Sequence, residues 1–86
     1  MCGTGIGISI AANKVKGIRA AVCHDEFTAQ MIAEHNCANI IALGGRIMSP
    51  EKAAKLVGIW LDTPFGGGRH KNRIDKISAI EDKYFK

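Results

Sequence analysis

Three groups of residues in this chain have types and spacing that could do chemistry. The first is Cys2-Gly3-Thr4-Gly5-Ile6-Gly7. Three glycines at alternate positions suit neither a helix interior nor a strand. They suit a tight loop whose bare backbone lets a ligand approach closely. Ile8 to Lys14 reads as a helix opening behind that loop, with free amides and the positive dipole end pointing back at it. A glycine loop feeding a helix N-terminus is an anion site by construction. Cys2 stands at its mouth. A thiol near a helix N-terminus has its thiolate favoured, so Cys2 could serve as base or nucleophile near neutral pH. The plain alternative is a packing cysteine beside a glycine turn. The spacing does not match a dinucleotide fingerprint, because the third glycine comes one residue too early. It is not a P-loop either, because no Gly-Lys-Ser/Thr follows. Nucleotide binding is therefore the weakest reading of the loop.

The second group is His35 with Asn36. A histidine at the end of a helix can complement the dipole as a cap, or it can carry a proton in catalysis. The third is Arg69 and Arg73, four residues apart and so on one face of a helix. Two guanidinium groups converging on one point suit a phosphate, which arginine binds bidentately. A solubilising basic patch is the alternative. Arg46, behind Gly44-Gly45, is a further candidate for the same anion. Cys23 and Cys37 are read as non-catalytic, and His24 as structural. No metal is required by any of these groups, and no ligand cluster has convincing spacing.

The elements that must position these groups follow from periodicity. Ile18 to Val22 and Ala38 to Leu43 are short apolar runs that read as parallel strands buried on both faces. Asp25 to His35 between them has helical spacing, with Phe27, Met31 and Ile32 on the expected core side. Strand, helix and strand form a βαβ unit. Ser49-Pro50 offers a cap and a first-turn proline. Behind it Ala53, Leu56, Val57, Trp60 and Leu61 recur at helical spacing. Pro64 and Gly66-Gly67-Gly68 end that helix. A last helix, about 70–84, carries Ile74, Ile77 and Ile80 or Tyr84 on its apolar side. Two strands alone make a sheet too small for independent stability.

Eighty-six residues allow one domain at most. Hydrophobic content of 47% and charged content of 23% are those of an ordinary globular chain. No apolar run approaches the ~18 residues of a membrane span, and no leader opens the chain. Three cysteines at irregular spacing argue against a disulfide framework and fit a reducing cytoplasm. The formal charge of +4 allows an anionic partner. Without a basic stripe interleaved with aromatics, that partner is not expected to be nucleic acid.

The stretch Cys2-Gly3-Thr4-Gly5-Ile6-Gly7-Ile8-Ser9-Ile10-Ala11-Ala12-Asn13-Lys14 resembles the signature of the type B ribose-5-phosphate isomerases. These sit in a wider family that includes galactose-6-phosphate isomerase subunits. The similarity continues through Gly17-Ile18-Arg19-Ala20, Glu34-His35-Asn36, Asn39-Ile40 and Gly67-Gly68-Arg69-His70 to Arg73. It implies that residues 1–86 are the C-terminal half of a doubly wound, Rossmann-like α/β domain. The N-terminal strands, with an Asp-His pair that binds substrate, would then lie outside them, and the chain would be inactive and poorly folded alone.

The resemblance also implies a reaction, the interconversion of ribose 5-phosphate and ribulose 5-phosphate through an enediolate, with no cofactor. Cys2 would be the base, and the amides of Gly3, Thr4, Gly5, Ile6 and Gly7 would hold the enediolate oxygens, with the Thr4 hydroxyl assisting. His35 would open the sugar ring, Asn36 would contact substrate, and Arg69 and Arg73 would grip the phosphate. Sites would be assembled across a homodimer or higher oligomer. The alternative is a non-catalytic fragment, or a partner subunit of a galactose-6-phosphate or allose-6-phosphate isomerase.

Overall fold

The computed structural model describes residues 1–85. The elements run α1 (Ile6–Ala12), β1 (Ala20–Val22), α2 (Glu26–Glu34), β2 (Ile40–Ala42), α3 (Pro50–Asp62) and α4 (Arg69–Tyr84). β1 and β2 pair in parallel, with Ala20 opposite Ile40 and Val22 opposite Ala42. Cys2 forms an isolated parallel bridge to Gly44, so a third line of backbone begins on the far side of β2. The order across this small sheet is Cys2, β2, β1. The chain therefore crosses outward through α1 and returns through α2. Right-handed crossovers in opposite directions place α1 and α2 on opposite faces.

Local signals explain most of the boundaries. The Asp25 carboxylate accepts from the Thr28 N–H at 2.8 Å, and the Thr28 hydroxyl accepts from the Asp25 N–H at 3.2 Å. This reciprocal box starts α2. The Thr28 N–H and hydroxyl hold the Asp25 carboxyl below its usual value. Ser49 Oγ accepts from the Lys52 N–H at 3.1 Å, and Pro50 opens α3. Asn13 caps α1 and grips β1: its side chain accepts from the Ala20 N–H at 2.7 Å and donates to the Ala20 carbonyl at 2.9 Å. One asparagine thereby satisfies the outer edge of β1 as a neighbouring strand would.

The core lies between the sheet, α2 and α3, and is built from Cys23, Ala29, Ile32, Leu43, Ala53 and Leu56. Trp60 packs against it and donates its indole N–H to the Ala38 carbonyl at 3.2 Å. Several expected placements differ. The strands are three residues each, because the Arg19 N–H bonds to the Asn39 side chain rather than continuing the ladder. Residues of β1 are half-buried, not covered on both faces. α1 begins at Ile6, two residues early, on the left-handed Gly5. Phe27 is 69% exposed, since Ala29, Ile32 and Ala33 form the inward face of α2. Leu61 is 70% exposed, and α4 buries none of its residues. Among the described residues no helix is long and apolar enough to cross a membrane.

α2 ends tightly. The Ala38 N–H bonds to the Ile32 carbonyl and the Cys37 N–H to the Ala33 carbonyl, closing the last turn with Cys37 at φ 45°. A side chain at that angle is strained, and the Arg19 guanidinium braces the Cys37 carbonyl at 2.9 and 3.2 Å. Replacing Cys37 with glycine removes the strain and keeps both bonds. Cys37→Gly is expected to stabilise the chain by about 0.5–1 kcal/mol. Urea titration followed by circular dichroism checks this, and an unchanged or lower midpoint contradicts it.

Candidate active site

The glycine loop is held by backbone alone. The Cys2 N–H bonds to the Leu43 carbonyl at 3.2 Å, the Gly45 N–H to the Cys2 carbonyl at 2.7 Å, and the Arg46 N–H to the Gly3 carbonyl at 3.0 Å. Cys2 thus belongs to the edge where the strands end, the usual ligand edge of a parallel sheet. Close packing makes the glycines necessary. A Cβ on Gly44 would stand 2.7 Å from Ile47 and 2.9 Å from the Thr4 backbone. One on Gly5, at φ 84°, would meet the Leu43 backbone at 3.1 Å. Arg46 lies across the loop, its Cδ 3.2 Å from where a Gly3 Cβ would be.

The half-buried Cys2 thiol faces the first turn of α1. Its sulfur accepts from the Gly5 N–H at 3.2 Å. The backbone N–H of Ile8 acts most strongly, with those of Gly5 and Thr4 adding to it, and together they outweigh burial and hold the thiol below its ordinary value. The Thr4 hydroxyl accepts from the Ile6 N–H at 3.3 Å, while Gly7 lies open, with nothing within 4 Å of a Cβ there. Cys2, Gly3, Thr4, Gly5, Ile6, Gly7 and Arg46 therefore form one cluster. It can present a thiolate and several amides to a small oxyanion.

His35, Asn36, Arg69 and Arg73 lie elsewhere. α2 leaves the strand ends and runs back, so its C-cap His35 sits at the opposite end of the sheet, where β2 begins. α3 makes the same return, and the Gly66 N–H bonds to the Glu34 carbonyl at 2.8 Å, which brings the start of α4 to the same end. There the His35 and His70 rings stack, centroids 4.1 Å apart and planes 16° apart. Arg69 and Arg73 lie on the same first turns of α4 and depress the His70 pKa, after burial and the His35 ring, while Glu34 opposes them. Asn36 is exposed beside His35 and lines a groove of about 320 Å³ with Arg19, Ile77 and Glu81. Three strand residues span roughly 10 Å, so the two clusters are separated by the depth of the sheet. His24 is exposed, and its backbone N–H serves the α2 cap through Thr28. The sequence reading assigned no role to His70. The only hint was the glycine run before it, which marks a close approach.

The Ribose/Galactose Isomerase family model matches residues 1–77. The chain belongs to that family. It is 48% identical over 83 residues to the ribose-5-phosphate isomerase B of Escherichia coli, covering 96% of this chain and 56% of that protein. It is 51% identical over 81 residues to the D-erythrulose-4-phosphate isomerase of Pectobacterium atrosepticum, covering 94% and 53%. The solved ribose-5-phosphate isomerase B of Clostridium thermocellum superposes with a TM-score of 0.93 at 58% identity, covering 96% of this chain and 56% of that one. The chain spans about half the length of these relatives. Its two strands and four helices are thus part of a larger Rossmann-like α/β fold.

The amide environment of Cys2 has a direct consequence. The thiolate is the alkylated species, and a lowered pKa moves the rise of the rate to lower pH. Iodoacetamide labelling of Cys2, followed by peptide mass mapping, is expected to reach half-maximal rate below the pH of about 8.5 typical of a free cysteine. In urea the midpoint should return to that value. A folded-state midpoint at or above 8.5 contradicts the arrangement.

Proposed function

We propose that this chain is part of an aldose–ketose isomerase that moves a proton between adjacent carbons of a phosphorylated sugar, with ribose 5-phosphate and ribulose 5-phosphate as the pair. The observation that carries this reading is the Cys2 sulfur held 3.2 Å from the Gly5 N–H, on the glycine loop that opens α1. Isomerisation needs a base at C2 and donors for the enediolate oxygens that develop as the proton leaves. Cys2 is the base, and the Gly3–Gly7 backbone with Thr4 supplies the donors. His35 transfers the proton that opens the sugar ring, Asn36 contacts the substrate, and Arg69 and Arg73 hold the phosphate. Arg46, lying over the loop, is available to the same anion.

One copy cannot bring both clusters to one sugar, because they occupy opposite ends of the sheet. Two copies related by a twofold axis can, each giving its Cys2 loop to one site and its His35 and arginines to the other. A symmetric pair has two equivalent sites of this kind. The name of the Pectobacterium relative involves a four-carbon sugar phosphate, so the sugar's length is read by residues other than the base and the phosphate grip.

The test follows exchange of the C2 proton of ribose 5-phosphate in deuterated water. The chain is supplied with the part of the Escherichia coli isomerase that it does not match, as a separate polypeptide. Cys2→Ser is expected to abolish exchange while the sugar phosphate still binds, since a hydroxyl is far less acidic than a thiol. Near-normal exchange in that variant refutes the base assignment.

A second arm uses Arg73→Ala, which should weaken binding of the phosphorylated sugar roughly tenfold to a hundredfold and leave the unphosphorylated sugar unaffected. At a sugar phosphate concentration too low for the Arg73→Ala variant to bind it, mixing the two variants in equal amounts should restore roughly a quarter of the exchange rate, because half of the random pairs carry one intact site. No recovery on mixing refutes the shared site.

A further inference from the structure

His70 follows Arg69 on the first turn of α4, and its ring is not placed there by accident of surface. Gly66 sets it. The Gly66 N–H bonds to the Glu34 carbonyl at 2.8 Å. A Cβ on Gly66 would stand 3.2 Å from that oxygen and 3.3 Å from the His70 ring. A side chain at that position would push the start of α4 and the end of α2 apart by a few tenths of an ångström. Gly67 and Gly68, both at positive φ, then turn the chain so that α4 starts with its His70 face toward α2. The outcome is two half-buried imidazoles lying nearly flat on each other. Among the described residues neither ring makes a hydrogen bond, so the stack itself is what orients them.

We propose that His70 is the positioning residue for His35, fixing the plane of its ring through the stack. This rests on the reading of His35 as the residue that opens the sugar ring. A stacked ring leaves the edge nitrogens of His35 pointing outward, where a substrate oxygen can meet them. A hydrogen-bonding partner would instead occupy one of those nitrogens. Two imidazolium ions at 4.1 Å repel, so the second proton enters the pair at lower pH than the first.

The charges around the pair act in the same sense. Burial, the His35 ring, Arg69 and Arg73 all disfavour a proton on His70, and Glu34 alone favours one. Near the ordinary histidine pKa the folded His70 thus binds a proton less readily than it does in the unfolded chain.

The chain has three histidines, so their ring protons can be followed individually by NMR and assigned through His→Gln variants. Titrating the chain between pH 5 and pH 8 should give a His70 midpoint below that of the same residue in the urea-unfolded chain, and His35→Gln should raise it. The His35 ring protons should show an upfield ring-current shift. His70→Phe, which keeps the stack and removes the proton, should preserve that shift, and His70→Ala should abolish it.

In the complemented exchange assay, His70→Phe should retain kcat within about twofold and move the acid limb of the pH profile. His70→Ala should lower kcat with little change in KM, since the phosphate grip is untouched. The proposal is overturned if the His35 ring shift and the His70 midpoint ignore substitution of the partner ring. It is equally overturned if His70→Ala leaves kcat and its pH profile unchanged while the wild-type chain is active. The NMR arm needs no turnover. If coupling is found and no form of the chain isomerises sugar phosphate, the failure belongs to the isomerase reading, not to the pairing of the rings.

Discussion

The bridge between Cys2-Gly3 and the backbone that follows β2 is the interaction on which the rest of the structure depends. Its three hydrogen bonds, from 2.7 to 3.2 Å, place the thiol at the strand ends, set the angle at which α1 leaves, and bring Arg46 over the loop. They demand that Gly44 and Gly5 carry no side chain, because the loop and the β2 exit pass within van der Waals contact. The cost is backbone freedom surrendered at each glycine on folding. The return is geometric: amides that would be covered in an ordinary turn face the sulfur instead. The lowered Cys2 pKa is a property of that bridge, since without it the Ile8, Gly5 and Thr4 N–H groups would have no fixed relation to the thiol.

How much of this was legible in the sequence depends on how local each signal is. Ser49-Pro50 announces a helix start through contacts within four residues, and α3 begins where that signal puts it. α2 begins just after Asp25, where the helical spacing starts, and its Asp25–Thr28 box emerges only in the structure. The glycine alternation likewise announced an open loop with a helix behind it. Phe27 was misplaced because spacing counts large apolar residues. The inward face of α2 instead uses Ala29, Ile32 and Ala33, whose small side chains let α3 approach with Ala53 and Leu56. Ile77 and Ile80 were assigned to a buried face on the same logic. Yet they remain exposed on α4, which meets the rest of the chain through the His70–His35 stack, through Glu81 and the Gly17 amide and through the Lys16–Asp82 ion pair.

The anchoring of Cys2 shows a different limit. The partner is forty-two positions away, at Gly44, and the pairing is backbone to backbone, with no side-chain pattern to betray it. The same holds for His35 and His70. Each sits beside a legible feature, a helix end and a glycine run. Their contact arises only once two helices have both been folded back across the sheet. Tertiary neighbours made by two returns of the chain have no sequence period.

Parallel topology also settles why the candidate residues fall into two groups. In a βαβ unit every strand-to-helix connection emerges at one edge of the sheet and every helix-to-strand connection at the other. Cys2-to-Gly7 and Leu43-to-Ile47 belong to the first kind. His35-Asn36 belongs to the second, and the Gly66–Arg73 segment is carried there by α3. No rotation of a loop can exchange these edges, because the strands between them are hydrogen-bonded and the helices are packed on the core. A site using a base from one edge and a phosphate grip from the other must therefore take them from two sheets facing in opposite senses. A twofold axis would supply that arrangement with a single sequence, which is why the proposed isomerase site takes its base and its phosphate grip from two copies.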